Sequence, residues 1–183
     1  MTRIIAGSYR GRRLAVPDRG TRPTSDRVRE AIFSRLASWG VLQDARVLDL
    51  YAGSGALGLE ACSRGAASAD LVEVSAAACR VLRTNVDTLA APARIHRDDA
   101  ARFLARPGTW DIVFADPPYD LSMRSLEEVT SALGDHLSDD AVVVWERARR
   151  DGPPPQPSWA EEWEGKEYGE TAVWYSQPRV LSD

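Results

Sequence analysis

The chain has 183 residues, 44% hydrophobic and 27% charged, with a net charge of −4. That length fits one domain with a full core and room for a small appendage. No apolar run approaches the roughly 20 residues that span a bilayer, and the start Met1-Thr2-Arg3-Ile4-Ile5-Ala6-Gly7 lacks the apolar stretch of a signal peptide, so a cytoplasmic protein without a membrane partner is expected.

The first unit along the chain is a hairpin. Segments 3–6 and 12–16 flank the turn-rich Gly7-Ser8-Tyr9-Arg10-Gly11, and a linker follows at 17–23. A helix is predicted over 26–39, where Val28, Ile32, Phe33, Leu36 and Trp39 recur at spacings of three and four and Thr24 or Ser25 can cap the start. Residues 1–35 hold nine arginines against Asp18, Asp26 and Glu30, a net +6 that leaves −10 on the rest. A basic head on an acidic body is an electrostatic footprint for a phosphate backbone. The head is expected to be separable, so that deleting residues 1–20 spares the fold.

From residue 45 onward short apolar runs alternate with helical stretches. Strands are predicted at 46–50, 69–74, 93–96, 110–115, 141–146, 164–168 and 171–176. Helices are predicted at 56–63, 76–89, 100–105 and 123–134, with Ser75 and Ser122 placed as caps. Such alternation calls for a parallel sheet with helices on both faces. Only Gly169 and Glu170 separate the last two strands, which therefore form an antiparallel hairpin. Cys62 and Cys79 lie in helix-like segments without metal-ligand spacing, so free thiols and no metal are expected.

Three places carry chemistry. The first is a strand, a glycine-rich turn and a helix start: Val47-Leu48-Asp49-Leu50-Tyr51-Ala52-Gly53-Ser54-Gly55-Ala56-Leu57-Gly58. Its glycines admit a ligand close to the backbone, and Glu73, 20 residues past Gly53, can accept from two ribose hydroxyls. The second feature separates this loop from a dinucleotide site: the carboxylate of Asp49 would repel a diphosphate but not an ammonium or sulfonium. Arg97-Asp98-Asp99-Ala100 then offers an acid for an adenine amino group; Asp99 is favoured, with Asp98 the alternative. The third is Asp111-Ile112-Val113-Phe114-Ala115-Asp116-Pro117-Pro118-Tyr119. Two prolines stiffen the turn after a buried strand, holding the Asp116 carboxylate and the Pro117 carbonyl as paired acceptors for an exocyclic amine, with the Tyr119 ring beside them to stack on its base.

On these motifs the chain resembles the class I amino-methyltransferases, and more closely the bacterial 16S rRNA guanine-N2 methyltransferases that modify guanine 966. The resemblance also rests on Arg3-Ile4-Ile5-Ala6-Gly7 with Arg10-Gly11-Arg12, on Arg22-Pro23-Thr24-Ser25-Asp26-Arg27-Val28-Arg29-Glu30-Ala31-Ile32-Phe33, and on Tyr168-Gly169-Glu170-Thr171. It implies an α/β, Rossmann-like seven-stranded methyltransferase sheet, five parallel strands plus a C-terminal antiparallel hairpin, with a small N-terminal β-hairpin extension. The implied organisation is 1–23 as the RNA-contacting head, 24–178 as the catalytic domain and 179–183 as a tail. It implies S-adenosylmethionine as donor, held by Asp49, Tyr51, Gly53, Ser54, Gly55, Glu73, Asp99 and Ala100, with Thr24 near its methionine end. Asp116, Pro117, Pro118 and Tyr119 correspond to the catalytic tetrapeptide; Tyr119 stands where relatives often have phenylalanine. Arg3, Arg10, Arg12, Arg13, Arg22, Arg27 and Arg29 are the expected contacts to 16S rRNA or a small-subunit assembly intermediate, made by a monomer. The rivals are an amino-methyltransferase acting on adenine in RNA or DNA or on a glutamine amide, a non-catalytic RNA-binding protein of the same fold, and an NAD oxidoreductase. The last has no account of residues 116–119.

Overall fold

The computed structural model describes residues 2–17 and 25–179. A short antiparallel pair, β1 (Thr2–Arg3) and β2 (Arg13–Leu14), opens the chain and is followed by helix α1 (Asp26–Ser38). The alternating part comprises β3 (Arg46–Leu50), α2 (Ala56–Ser63), β4 (Ser68–Val72), α3 (Ala76–Leu89), β5 (Ala93–His96), α4 (Ala100–Leu104), β6 (Trp110–Ala115), α5 (Met123–Leu133) and β7 (Leu137–Ala148). It closes with the hairpin β8 (Glu164–Tyr168) and β9 (Thr171–Ser176). The seven-stranded order is β5-β4-β3-β6-β7-β9-β8, with the first five strands parallel and β9 antiparallel to both neighbours. This is the architecture expected.

Side-chain alternation divides the buried residues into two layers. On one face Val47, Leu71, Phe114 and Val144 meet α1, α2 and α3. On the other Leu48, Val72, Val113 and Trp145 meet α4 and α5. Helix α1 is capped by the Ser25 hydroxyl, which accepts from Val28 N at 3.2 Å. Its Ile32, Phe33 and Leu36 are fully buried, each contributing roughly 1.5–3 kcal/mol of transfer free energy, and Phe33 packs on Phe114 with ring centroids 5.6 Å apart. Ser75 and Ser122 cap α3 and α5. Cys62 is buried and Cys79 half-buried, both as free thiols. No helix among the described residues is long and apolar enough to cross a membrane.

Where elements depart from expectation, tertiary partners are the reason. The first two strands are shorter because their backbone donors go to side chains. Ile5 N and Ala6 N donate to the two Glu60 carboxylate oxygens at 2.7 and 3.0 Å, and Ala15 N donates to Asn85 Oδ1 at 2.8 Å. Strand β7 is longer than 141–146, because β9 goes on pairing with it through Arg147 and Ala148. Strand β4 stops at Val72, two residues early, where the chain turns into the Ser75 cap.

The hairpin is therefore no loose appendage. Ile4 and Leu14 are buried in the same core layer as α1 and β3, and Glu60, fully buried, answers Ile5, Ala6 and the Arg64 guanidinium together. Deleting residues 1–20 would open that core and leave a buried carboxylate short of its donors, which corrects the expectation that the fold is spared. Replacing Glu60 by alanine strands two backbone N–H groups and leaves Arg64 only its longer pair with Glu30 at 3.6 Å, and is expected to cost about 3 kcal/mol of stability. Urea unfolding monitored by tryptophan fluorescence measures it; a loss below about 1 kcal/mol would show that the hairpin is held by its apolar contacts alone.

Candidate active site at the strand tips

Parallel register brings the sequence-predicted acids to one edge of the sheet. Leu50 is paired with Val72 on one side and with Ala115 on the other, and Val72 with His96. Neighbouring strands lie about 4.8 Å apart. Just past these four residues come Tyr51 and the glycine loop, Glu73, Arg97-Asp98-Asp99, and Asp116. Four segments scattered over some seventy positions thus meet at adjacent strand ends.

The loop after β3 is wound tightly. Tyr51, Gly53 and Gly55 have φ of 63°, 56° and 79°, a left-handed conformation that costs glycine little and tyrosine more. Ala52 N donates to Val72 O and Gly55 N to Ala52 O, and Gly55 leads directly into α2. Gly58 serves packing: a Cβ there would stand 2.4 Å from Leu71 Cδ2 and 3.2 Å from Asp49 Oδ2.

Asp49 is 2% exposed and accepts from Gly58 N at 2.9 Å. Burial pushes its carboxyl up to about 7; the Gly58 amide opposes this, and the nearby Glu73 charge adds to it. Glu73 is half-buried and spans the site, its two oxygens accepting from Gly53 N at 3.0 Å and Ser75 N at 2.8 Å. A buried Asp49 and a half-buried Glu73 that act on each other electrostatically disfavour an anionic ligand and favour a cationic one.

At the end of β5 the two acids have different duties. Asp98 is buried and ion-paired with Arg106. Asp99 is exposed and caps α4 through Oδ1, accepting from Ala101 N and Arg102 N. Burial raises the Tyr51 hydroxyl pKa, and the Asp99 charge adds to the shift. Ala100 is buried with Leu50 and Val72. Past β6, Asp116 and Pro117 are half-buried, Pro118 is exposed, and Tyr119 presents 64% of its surface to solvent.

The expected RNA-contacting arginines divide. Arg3, Arg10, Arg12, Arg13 and Arg27 are exposed, Arg12 also donating to Thr88 O. Arg29 is fully buried, its Nη2 donating to Arg3 O at 2.8 Å and Asp26 Oδ1 at 2.6 Å. A guanidinium with no surface cannot meet a phosphate, so Arg29 is corrected from contact to scaffold. Thr24 and Arg22 lie outside the described residues.

Sequence reasoning missed Asn85. Its side chain is buried, exchanging two hydrogen bonds with Ala15 and donating to Ser54 O at 2.9 Å. It thereby ties the chain leaving β2 to the glycine loop. The signal was available: Ala78, Leu82, Asn85 and Leu89 form the buried stripe of α3, and an amide in an apolar stripe calls for partners.

The acceptors at this edge are compatible with S-adenosylmethionine: Glu73 and Asp99 keep lone pairs beyond the backbone bonds they accept, enough for a ribose diol and an adenine amine. The family model described as "Conserved hypothetical protein 95" matches residues 2–177. The Ribosomal RNA small subunit methyltransferase D of Escherichia coli (strain K12) is 48% identical over 161 residues, 85% of this chain and 79% of that protein. The solved structure of the E. coli protein yhhF superposes with a TM-score of 0.86 at 42% identity, covering 97% of each chain. A T. thermophilus 16S rRNA N2 G1207 methyltransferase, solved in complex with AdoMet and guanosine, shares the fold at a TM-score of 0.71 and 22% identity, over 90% of this chain and 45% of that one. Fold and relatives together define an S-adenosylmethionine-dependent methyltransferase. Within that class the chain belongs to the ribosomal RNA small subunit methyltransferase D family.

An acid held at about 7 in the native state, against about 3.9 when unfolded, binds its proton more tightly folded than unfolded. Its effect on native stability is absent below pH ~4 and becomes unfavourable as pH rises to ~7. Asp49→Asn keeps the acceptor for Gly58 N and removes the charge. Relative to wild type the variant should gain on the order of 2–4 kcal/mol between those limits, measured by urea unfolding across pH, while binding S-adenosylmethionine more weakly. A stability difference constant with pH would show that Asp49 does not titrate in this window.

Proposed function

We propose that this chain transfers the methyl group of S-adenosylmethionine to the exocyclic N2 of a guanine in 16S rRNA, guanine 966 by family resemblance, on naked RNA or on a small-subunit assembly intermediate. The observation that supports the reading most is the Leu50–Ala115 pairing, since the glycine loop and the Asp116-Pro117-Pro118-Tyr119 turn then leave adjacent strands at one edge. The relative's name supplies the RNA.

The site works by holding the base. An amine conjugated to a purine ring is a poor nucleophile because its lone pair is delocalised. The Asp116 carboxylate and the Pro117 carbonyl accept its two N–H bonds, favour a pyramidal nitrogen and turn the lone pair out of the ring plane. The two prolines keep these acceptors from relaxing, so orientation is built in before the base arrives. The bound cofactor supplies an electrophilic methyl on a sulfonium. Asp116 need only take the proton as it is lost, since the amine becomes acidic once the N–C bond forms. Tyr119, exposed at the turn, gives a base drawn from its stack a ring to lie on.

The exposed arginines of the 1–23 head and of α1 (Arg3, Arg10, Arg12, Arg13, Arg27) neutralise phosphates and set register; residues 24–178 perform the chemistry. One chain supplies both the proposed cofactor loop and the proposed catalytic turn, so a monomer suffices for the chemistry, carried out in the cytoplasm where ribosomes assemble.

Incubation with labelled S-adenosylmethionine and rRNA from cells lacking this enzyme should yield N2-methylguanosine on nucleoside analysis. Label in N6-methyladenosine, or none, would overturn the reading. Asp116→Ala should lose about 10²–10³-fold in turnover while cofactor affinity stays within about twofold. Replacing Arg10 and Arg13 together by alanine should weaken RNA binding and flatten the slope of log K against log salt by about 1.5; an unchanged slope would remove the head from the RNA interface.

A further inference from the structure

We propose that Glu146 is a specificity-determining residue that reads the target as guanine by accepting its N1–H; the proposal rests on the guanine-N2 reading above. Strand β7 is paired with β6 in parallel, Ala115 opposite Trp145. One residue further on, Asp116 and Glu146 are neighbours at the same sheet edge, about 5 Å apart along the hydrogen-bonding direction. Glu146 takes its face from its antiparallel partner Val173, which with Val142 and Val144 belongs to the layer under α1. Alternation carried past Phe114 puts Asp116 on that face too. Arg147 points the other way, donating to Pro153 O at 2.6 Å. Glu146 is half-buried, shielded enough for a hydrogen bond to discriminate and open enough to reach a ligand.

On the Watson–Crick edge of guanine the N1–H donor adjoins the N2 amine. If Asp116 and Pro117 grip the amine, the atom beside it falls toward the next strand, where a second carboxylate accepts N1–H. Adenine and 2-aminopurine present an unprotonated N1 there, and a carboxylate repels that lone pair. Sites that hydrogen-bond a substrate N–H reject analogues lacking it strongly, because a polar group is left unpaired.

The test uses the full chain and two RNAs identical except for guanine or 2-aminopurine at the target; both bear the N2 amine. Wild type should prefer guanine by at least ~100-fold in kcat/KM. Glu146→Gln should lose at least ~10-fold on guanine and narrow the preference to within ~10-fold, because its amide can donate to a bare N1. Glu146→Asp, which keeps the carboxylate, should retain the preference at reduced rate. Cofactor affinity and melting temperature report whether each variant is folded. A preference unchanged in Glu146→Gln, or lost in a folded Glu146→Asp, overturns the assignment. Failure of wild type to make N2-methylguanosine at all would instead overturn the base reading.

Discussion

The site depends on parallel strand pairing. Because β4, β3 and β6 run the same way with Val72, Leu50 and Ala115 in one row, every loop that leaves them leaves at the same edge. The hydrogen-bond ladder, not any loop, sets the separation between the acids at the ends of β3 and β4 and the proposed catalytic turn after β6. Buried strands of Val, Leu, Ile and Phe make that ladder stiff, and the prolines after β6 extend the stiffness to the acceptors. The arrangement has an electrostatic cost: burial raises the Asp49 carboxyl to about 7, and the Glu73 charge at the same edge adds to the shift. A cationic ligand relieves it. Geometry and charge thus select the same kind of cofactor.

Much of this was legible because it is local. Helices α2 and α3 lie where the apolar period and the Ser75 cap place them, and five strands of the main sheet coincide with their apolar runs. Gly53, Glu73 and Asp116 announce themselves through neighbours in sequence: a strand before, a turn or helix after. Asp98 and Asp99 could be told apart only in three dimensions, since what separates them is Arg106, which claims Asp98.

What sequence concealed is long-range. Arg29 counted as one more cation in a basic run, although it stands on the buried side of α1 next to Val28 and Ile32; an all-arginine cation set hides a structural one among surface ones. Glu60 sits in an alanine- and leucine-rich helix where the i+4 pairing with Arg64 accounts for a surface acid but not a fully buried one, and the reason for its burial is the backbone of residues 5 and 6. Glu146 became noticeable only once β7 was known to lie beside β6. In each case the partner is fixed by sheet order or by docking, which no periodicity carries.

The bonds from Ile5 and Ala6 to Glu60 span 55 and 54 residues. In a folding chain the amides of Ile5 and Ala6 therefore face water until helix α2 has formed and found its sheet. Contacts of such separation form late because closure entropy must be met first. Until that docking, the arginines at 3, 10, 12 and 13 keep their charge in water, and their mutual repulsion opposes premature collapse of the segment.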